Sequence, residues 1–310
     1  MEFRKDINAL RAIAVIAVVL FHFDNNLVPG GFAGVDVFFV ISGYLMTKII
    51  CDRLNNESFS IYGFYKARAR RIVPALAITC LMTLVLGWLF IAPGQYLEMG
   101  KDSLSSMLFI SNFLYYLRSG YFDDSSTNNF LLHTWSLSVE WQFYVIYPLV
   151  LLFVKKLLGL RFLPHAITFM ALTSFASGLY GTYIYSDLAY FMFPSRAWAM
   201  LAGGVLYYIP AKAISPKIFF IGIIALGYSF FAFSKFTPWP GVGAVIPVLG
   251  AVLYIASKKD NIVLNNKITQ FIGTISYEVY LTHWPVLVLI RKLNSDMSLI
   301  SYTAIIIIIS

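Results

Sequence analysis

Charge is scarce in this chain: Asp, Glu, Lys and Arg together make up 12% of its 310 residues, against about 25% in a soluble domain. Cysteine is equally thin. Of the two present, Cys80 lies within an apolar run and Cys51 next to a basic loop, which argues against a disulfide framework. There is no soluble-type repeat, no low-complexity tract and no room for a soluble domain between the apolar runs, and no metal site is read. What is present is apolar: 59% hydrophobic residues and a mean hydropathy of +0.74. The fold class that follows is an all-α polytopic integral membrane protein with about ten transmembrane helices.

The net charge of +8 belongs to that picture, because the basic residues lie at the ends of apolar runs, where loops follow the positive-inside rule. This placement argues against nucleic-acid binding. Spans are expected near 7–24, 33–51, 74–92, 136–155, 162–184, 196–210, 216–234, 239–257 and 269–290. Pro74, Pro93, Pro164, Pro194, Pro216 and Pro238 fall at or near their ends, where a helix tolerates proline or stops. The stretch 103–117 is shorter and polar-edged, either a tenth span or a re-entrant segment. Arg4 and Lys5, then Arg53, Lys66, Arg68, Arg70 and Arg71, place the N-terminus and the 52–73 loop in the cytoplasm. The first apolar stretch lacks a small-residue cleavage site and reads as a retained signal anchor. Residues 1–297 are expected to form the membrane domain. Residues 298–310 read as the start of a truncated further helix, too short to cross a core of about 30 Å.

Within the first span lie two ionisable residues, Arg11 and His22. Eleven residues at about 100° each return to nearly the same face, roughly 16 Å further along the axis. Such groups in lipid are costly and usually face a protein interior or a watery cavity. After the turn Pro29-Gly30-Gly31, the second helix carries Asp36, which shares a face with Val40, Gly43 and Thr47. That face is small enough to pack on the first helix. Asp36 could then orient the His22 imidazole or hold Arg11 in a buried pair. Histidine suits proton transfer because its pKa lies near neutrality.

Further along, Phe64-Tyr65-Lys66-Ala67-Arg68-Ala69-Arg70-Arg71 carries four cations in six residues, and no acid occurs between Glu57 and Glu98. An ordinary topological anchor would look the same. In His133-Thr134-Trp135-Ser136-Leu137-Ser138-Val139-Glu140-Trp141-Gln142-Phe143-Tyr144, the residues Ser136, Glu140 and Tyr144 fall on one helical face. A buried glutamate bonded to hydroxyls is the plain structural alternative. Two weaker segments follow, Pro194-Ser195-Arg196-Ala197-Trp198 and Ile275 to Pro285, where Ser276, Tyr280 and His283 share a face. His165 has no partner in view and reads as structural.

Taken together, these motifs resemble the membrane-bound acyltransferase-3 family of carbohydrate O-acetyltransferases. Its arginine, ten residues, histidine motif falls on Arg11 and His22, and its Phe-Tyr followed by two arginines and proline falls on Tyr65, Arg68, Arg71 and Pro74. The resemblance implies catalytic roles for His22, Asp36, Arg11 and Glu140, and donor binding by Arg68, Arg71 and Tyr65, since arginine forks suit the phosphates of an acyl-CoA. It implies a pocket lined by Trp135, Ser136, Tyr144, Arg196 and His283. This chain departs from the family at Trp141, where many relatives carry a second glutamate, and at Ala199, where an acidic residue is common. Hence Glu140 stands alone. The expectations are an O-acetyltransferase with no bound cofactor, acetyl-CoA as donor substrate and a carbohydrate acceptor such as O-antigen, lipopolysaccharide or another surface glycan, whether free or lipid-linked. The expected location is the bacterial cytoplasmic (inner) membrane. Several relatives of this pattern add an eleventh span and an SGNH-hydrolase-like domain. The alternative is a transporter or flippase for a lipid-linked sugar, which would more often show paired repeats and broken helices.

Overall fold

The computed structural model describes residues 3–118, 129–210, 215, 217–258, 264–293 and 297–309. Pro216 and Ser310 lie outside the described residues. Of the described residues 82% are helical and none lies in a strand. The first three helices are α1 Lys5–Phe23, α2 Gly34–Asn55 and α3 Ile61–Phe90. They are followed by α4 Pro93–Met107, α5 Ser111–Leu117, α6 Thr134–Leu158 and α7 Leu163–Ile184. Next come α8 Ser186–Phe191, α9 Phe193–Leu206, α10 Ile218–Ala232 and α11 Val245–Ser257. The last three are α12 Lys267–Thr274, α13 Ser276–Lys292 and α14 Leu299–Ile309.

Five of these, α1, α2, α3, α6 and α7, are long and apolar enough to cross a membrane, and shorter apolar helices include α10, α11 and α14. This confirms the fold class. Where boundaries differ from expectation, the cause is local chemistry. The basic stretch 64–73 is not a loop. It forms the first turns of α3, opened by Ser60, whose side chain accepts from the backbone N–H of Gly63. Its 30 residues extend about 45 Å, longer than a hydrocarbon core of about 30 Å. Pro74 therefore falls inside a helix, as do Pro148 in α6 and Pro285 in α13. The stretch 103–117 is not one continuous helix. It breaks at Phe109, which adopts φ 56°, and the 7-residue α5 covers only about 10 Å. The last expected span divides between Thr274 and Ser276 into α12 and α13.

Close backbone approach fixes the arrangement around α2. A Cβ on Gly43 would lie 1.7 Å from the carbonyl oxygen of Met200, and one on Gly203 would lie 2.1 Å from that of Val40. Only glycine at both positions lets α2 and α9 meet this closely, the small-residue packing common in membranes. The face of α2 bearing Asp36 and Gly43 thus packs on α9 rather than on α1, correcting the expectation, and Thr47 on that face bonds Tyr147 of α6 at 2.7 Å. Polar side chains join helices elsewhere. Arg4 donates to Asp6, to the Tyr44 hydroxyl at 2.9 Å and to the Ile255 carbonyl at 2.8 Å, so it ties α1 to α2 and α11. Asn8 of α1 donates to the Gln270 carbonyl of α12 at 2.7 Å.

Candidate active site

Helices α1, α2, α3, α6 and α13 enclose a narrow cavity of about 90 Å³. Arg11 enters it from α1 and Ser42 from α2, Arg68 and Arg71 enter from α3, Ser136, Glu140 and Tyr144 from α6, and Ser276, Tyr277 and Tyr280 from α13. The spacing of Arg68 and Arg71 puts both on one face of α3. Arg68 is half-buried and Arg71 is exposed at the cavity's edge, while the remaining two cations of that run, Lys66 and Arg70, are exposed away from it, and Lys66 lies over the Tyr62 ring. Glu140 is the single carboxylate lining the cavity. It accepts hydrogen bonds from the Ser42 and Tyr144 hydroxyls and forms no salt bridge with the three arginines among the described residues. The buried Nε of Arg68 has no hydrogen-bond partner. Three guanidiniums around one carboxylate leave a surplus of positive charge at this cavity.

About three turns along α1 from Arg11, a second constellation forms around His22. Its Nδ1 lies 2.9 Å from Nε2 of His283, and the Nδ1 of His283 lies 2.6 Å from the Tyr280 carbonyl. The edge of Trp284 abuts the His22 ring, with centroids 4.7 Å apart. Arg291 donates to the His22 carbonyl at 2.7 Å. His133 is buried beside this pair, its ring 5.6 Å from that of His283, and neither of its ring nitrogens has a hydrogen-bond partner. Tyr280 joins the two constellations. It lines the cavity, and its hydroxyl bonds Ser136 Oγ at 2.7 Å and donates to the His133 carbonyl at 3.0 Å.

Several expected residues go elsewhere. Asp36 neither orients His22 nor pairs with Arg11. Its carboxylate faces Arg196 at 3.3 Å and accepts from the Trp239 indole at 2.9 Å, with both charged side chains 1% exposed. The reason is the packing of its helix face on α9, which carries Arg196. The guanidinium of Arg196 is in turn boxed by the rings of Phe39, Trp135 and Tyr190. Arg196 and Trp135 are therefore framework rather than cavity lining. Tyr65 also lies outside the cavity, its hydroxyl donating to the Val145 carbonyl of α6 at 2.8 Å. Ser136, Tyr144, Glu140, Arg11, Arg68 and Arg71 all meet in the cavity, and His283 meets His22 instead. Sequence reasoning assigned no role to Ser42 or His133. A serine turned away from the Asp36 face was the signal for the first. For the second, only the long-range approach of α13 to the start of α6 reveals it.

Fold and site together define a class: a polytopic membrane protein of packed helices, with a cation-lined cavity next to a buried histidine pair. Residues 4–310 match the acyltransferase-3 family, whose unit is described as an acyltransferase domain, and the chain belongs to that family. It is 29% identical over 309 residues to the O-acetyltransferase OatA of Staphylococcus aureus strain NCTC 8325, covering 92% of this chain and 51% of that protein. To the peptidoglycan O-acetyltransferase OatA of Listeria monocytogenes it is 31% identical over 310 residues, covering 91% and 49%. A putative O-acetyltransferase of S. aureus strain MSSA476 is 28% identical over 322 residues, covering 96% and 52%. The chain spans about half the length of the curated relatives it matches. No solved structure is significantly similar to it.

Proposed function

We propose that this chain is a membrane O-acyltransferase that takes an acetyl group from acetyl-CoA at the arginine-lined cavity and passes it to a hydroxyl of a surface glycan. The observation that carries this reading is the convergence of Arg11, Arg68 and Arg71 on one cavity with Glu140 as its lone carboxylate. Coenzyme A carries phosphates, and guanidinium forks bind phosphate bidentately. The narrowness of the cavity favours seating the phosphates at its mouth and threading a slender arm inward, rather than passing a whole lipid-linked sugar. The positive-inside reading of Arg4, Lys5 and the start of α3 puts that mouth on the cytoplasmic side of the cytoplasmic membrane, where acetyl-CoA is made.

His22 supplies the proton chemistry. As the hydroxyl oxygen attacks the thioester carbonyl carbon, the imidazole takes the hydroxyl proton. The C–S bond breaks, and the proton goes on to the leaving thiolate. Tyr280 lines the cavity, and its carbonyl holds the His283 ring that contacts His22, so in this reading the acetyl end of the donor reaches His22 along α13. His22 lies about 16 Å from Arg11 along the helix, which sets the two ends of the reaction at different depths in the membrane. Peptidoglycan is the acceptor in the name of the Listeria relative, and it is the acceptor class we favour. The relatives lend no support to O-antigen or lipopolysaccharide.

The test is purified protein in sealed proteoliposomes with labelled acetyl-CoA on the side of Arg71 and a muramyl glycan acceptor on the other. Acetylated acceptor is expected, and His22→Ala is expected to lower its formation by about 10²–10⁴-fold at unchanged protein level. Transfer by His22→Ala at the wild-type rate would remove the assignment. Transfer only when both substrates share one compartment would remove the cross-membrane route.

A further inference from the structure

The hydrogen-bond chain from Tyr280 through His283 to His22 fixes where the protons are. A backbone carbonyl can only accept, so the Nδ1 of His283, 2.6 Å from the Tyr280 oxygen, carries a hydrogen. A neutral imidazole has one N–H, and the Nε2 of His283 is therefore a lone-pair acceptor. It faces the Nδ1 of His22 at 2.9 Å, so that nitrogen is the donor. The basic lone pair of His22 is then on Nε2. The ring geometry agrees. Centroids 5.1 Å apart with planes 15° from parallel, at an N···N distance of 2.9 Å, describe two rings end to end in nearly one plane. In that arrangement the acceptor lone pair points along the N···N line.

We propose that His283 is the positioning residue of His22, holding it in the Nδ1–H tautomer with Nε2 as the base, the part the sequence had offered to Asp36. This rests on the reading of His22 as the proton-transfer group. A catalytic histidine needs a fixed partner at its second nitrogen to present the first, and the carboxylate of Asp36 is committed to Arg196 and Trp239. His283 is 0% exposed and is anchored on both sides, through its ring to the Tyr280 carbonyl and through its own carbonyl to the Tyr302 hydroxyl at 2.7 Å. When His22 accepts a proton at Nε2, its Nδ1–H remains on His283, so the imidazolium forms with that hydrogen bond intact. A neutral partner does this without placing a fixed negative charge in the bundle.

The experiment compares His283→Leu with His283→Gln in the proteoliposome assay. Leucine keeps bulk and removes the acceptor. Glutamine offers its amide oxygen near the former Nε2. His283→Leu is expected to lower kcat by about 10²-fold or more while KM for acetyl-CoA stays unchanged, and His283→Gln is expected to restore most of it. A leucine variant with wild-type kcat, or leucine and glutamine variants equally impaired, would overturn the proposal. If the leucine variant does not fold, nitrogen-15 NMR of the wild-type protein decides. The chain has only four histidines, and His22 must show a protonated Nδ1 and an unprotonated Nε2 in its neutral form; the opposite tautomer overturns the assignment. An active His22→Ala would defeat the acyl-transfer reading itself, whereas an inactive His22→Ala alongside a wild-type-like His283→Leu would defeat only this inference.

Discussion

Two groups of charged residues lie inside the same apolar bundle, and they are built on opposite plans. Asp36 and Arg196 form a pair of equal and opposite charge, each 1% exposed, with Trp239 on the carboxylate and aromatic rings around the guanidinium, whose Nε and Nη1 make no hydrogen bond. Arg11, Arg68 and Arg71 share a cavity with one carboxylate, and that carboxylate is occupied by the hydroxyls of Ser42 and Tyr144. The first group leaves no net charge to be met. The second carries unmet positive charge and a space beside it. In this bundle the unbalanced cations line a cavity, and the balanced pair joins two helices.

This contrast is sharpest in what the two groups do when broken. Removing one partner of a buried pair leaves an uncompensated charge and costs about 3–5 kcal/mol. Asp36→Ala and Arg196→Ala are therefore expected to lose folded protein, read as a lower thermal midpoint in detergent and lower membrane abundance. If Asp36→Ala kept its stability and lost only acetyl transfer, the pair would belong to the chemistry and the contrast would fail. Arg68→Lys with Arg71→Lys should act the other way. Charge is kept, the bidentate fork is lost, and KM for acetyl-CoA is expected to rise about tenfold or more, at about 1.5–3 kcal/mol per charged hydrogen bond, with the thermal midpoint unchanged. An unaltered KM would reduce that stretch of α3 to a topological anchor. The smallest effect is expected from Tyr65→Phe, which removes one hydroxyl bond to the Val145 carbonyl. A loss of at most about 1 kcal/mol in stability, with unchanged KM, would set Tyr65 apart from its neighbours Arg68 and Arg71.

How far the sequence could be read follows the same division. Hydropathy alone located α1, α2, α6 and α7 to within a few residues, because long apolar runs report directly on membrane spans. It missed the early start of α3, since a basic amphipathic turn has no apolar signal, and the breaks at Phe109 and between Thr274 and Ser276. Helical spacing correctly grouped Ser136 with Glu140 and Tyr144 and put Arg11 and His22 on one face. It failed for Asp36, because periodicity tells which residues share a face but not which helix that face meets. The close α2–α9 approach, permitted by Gly43 and Gly203, decided that, and it depends on residues far apart in the chain. The His22–His283 contact joins α1 to α13 across 261 positions, beyond the reach of any local pattern.

Three of the helices around the cavity share one irregularity, a proline in their interior: Pro74 in α3, Pro148 in α6 and Pro285 in α13. Each lacks the N–H that would have met the carbonyl four residues earlier, on Arg70, Tyr144 and Leu281. In hydrocarbon an unmet carbonyl costs several kcal/mol and is tolerated only against protein or water. The Tyr144 turn lines the arginine cavity, and the Leu281 turn lines a second, apolar cavity between α3, α13 and α14. Two of the three freed acceptors therefore stand beside open space, where the polar group of a bound molecule can meet them without a change in the backbone.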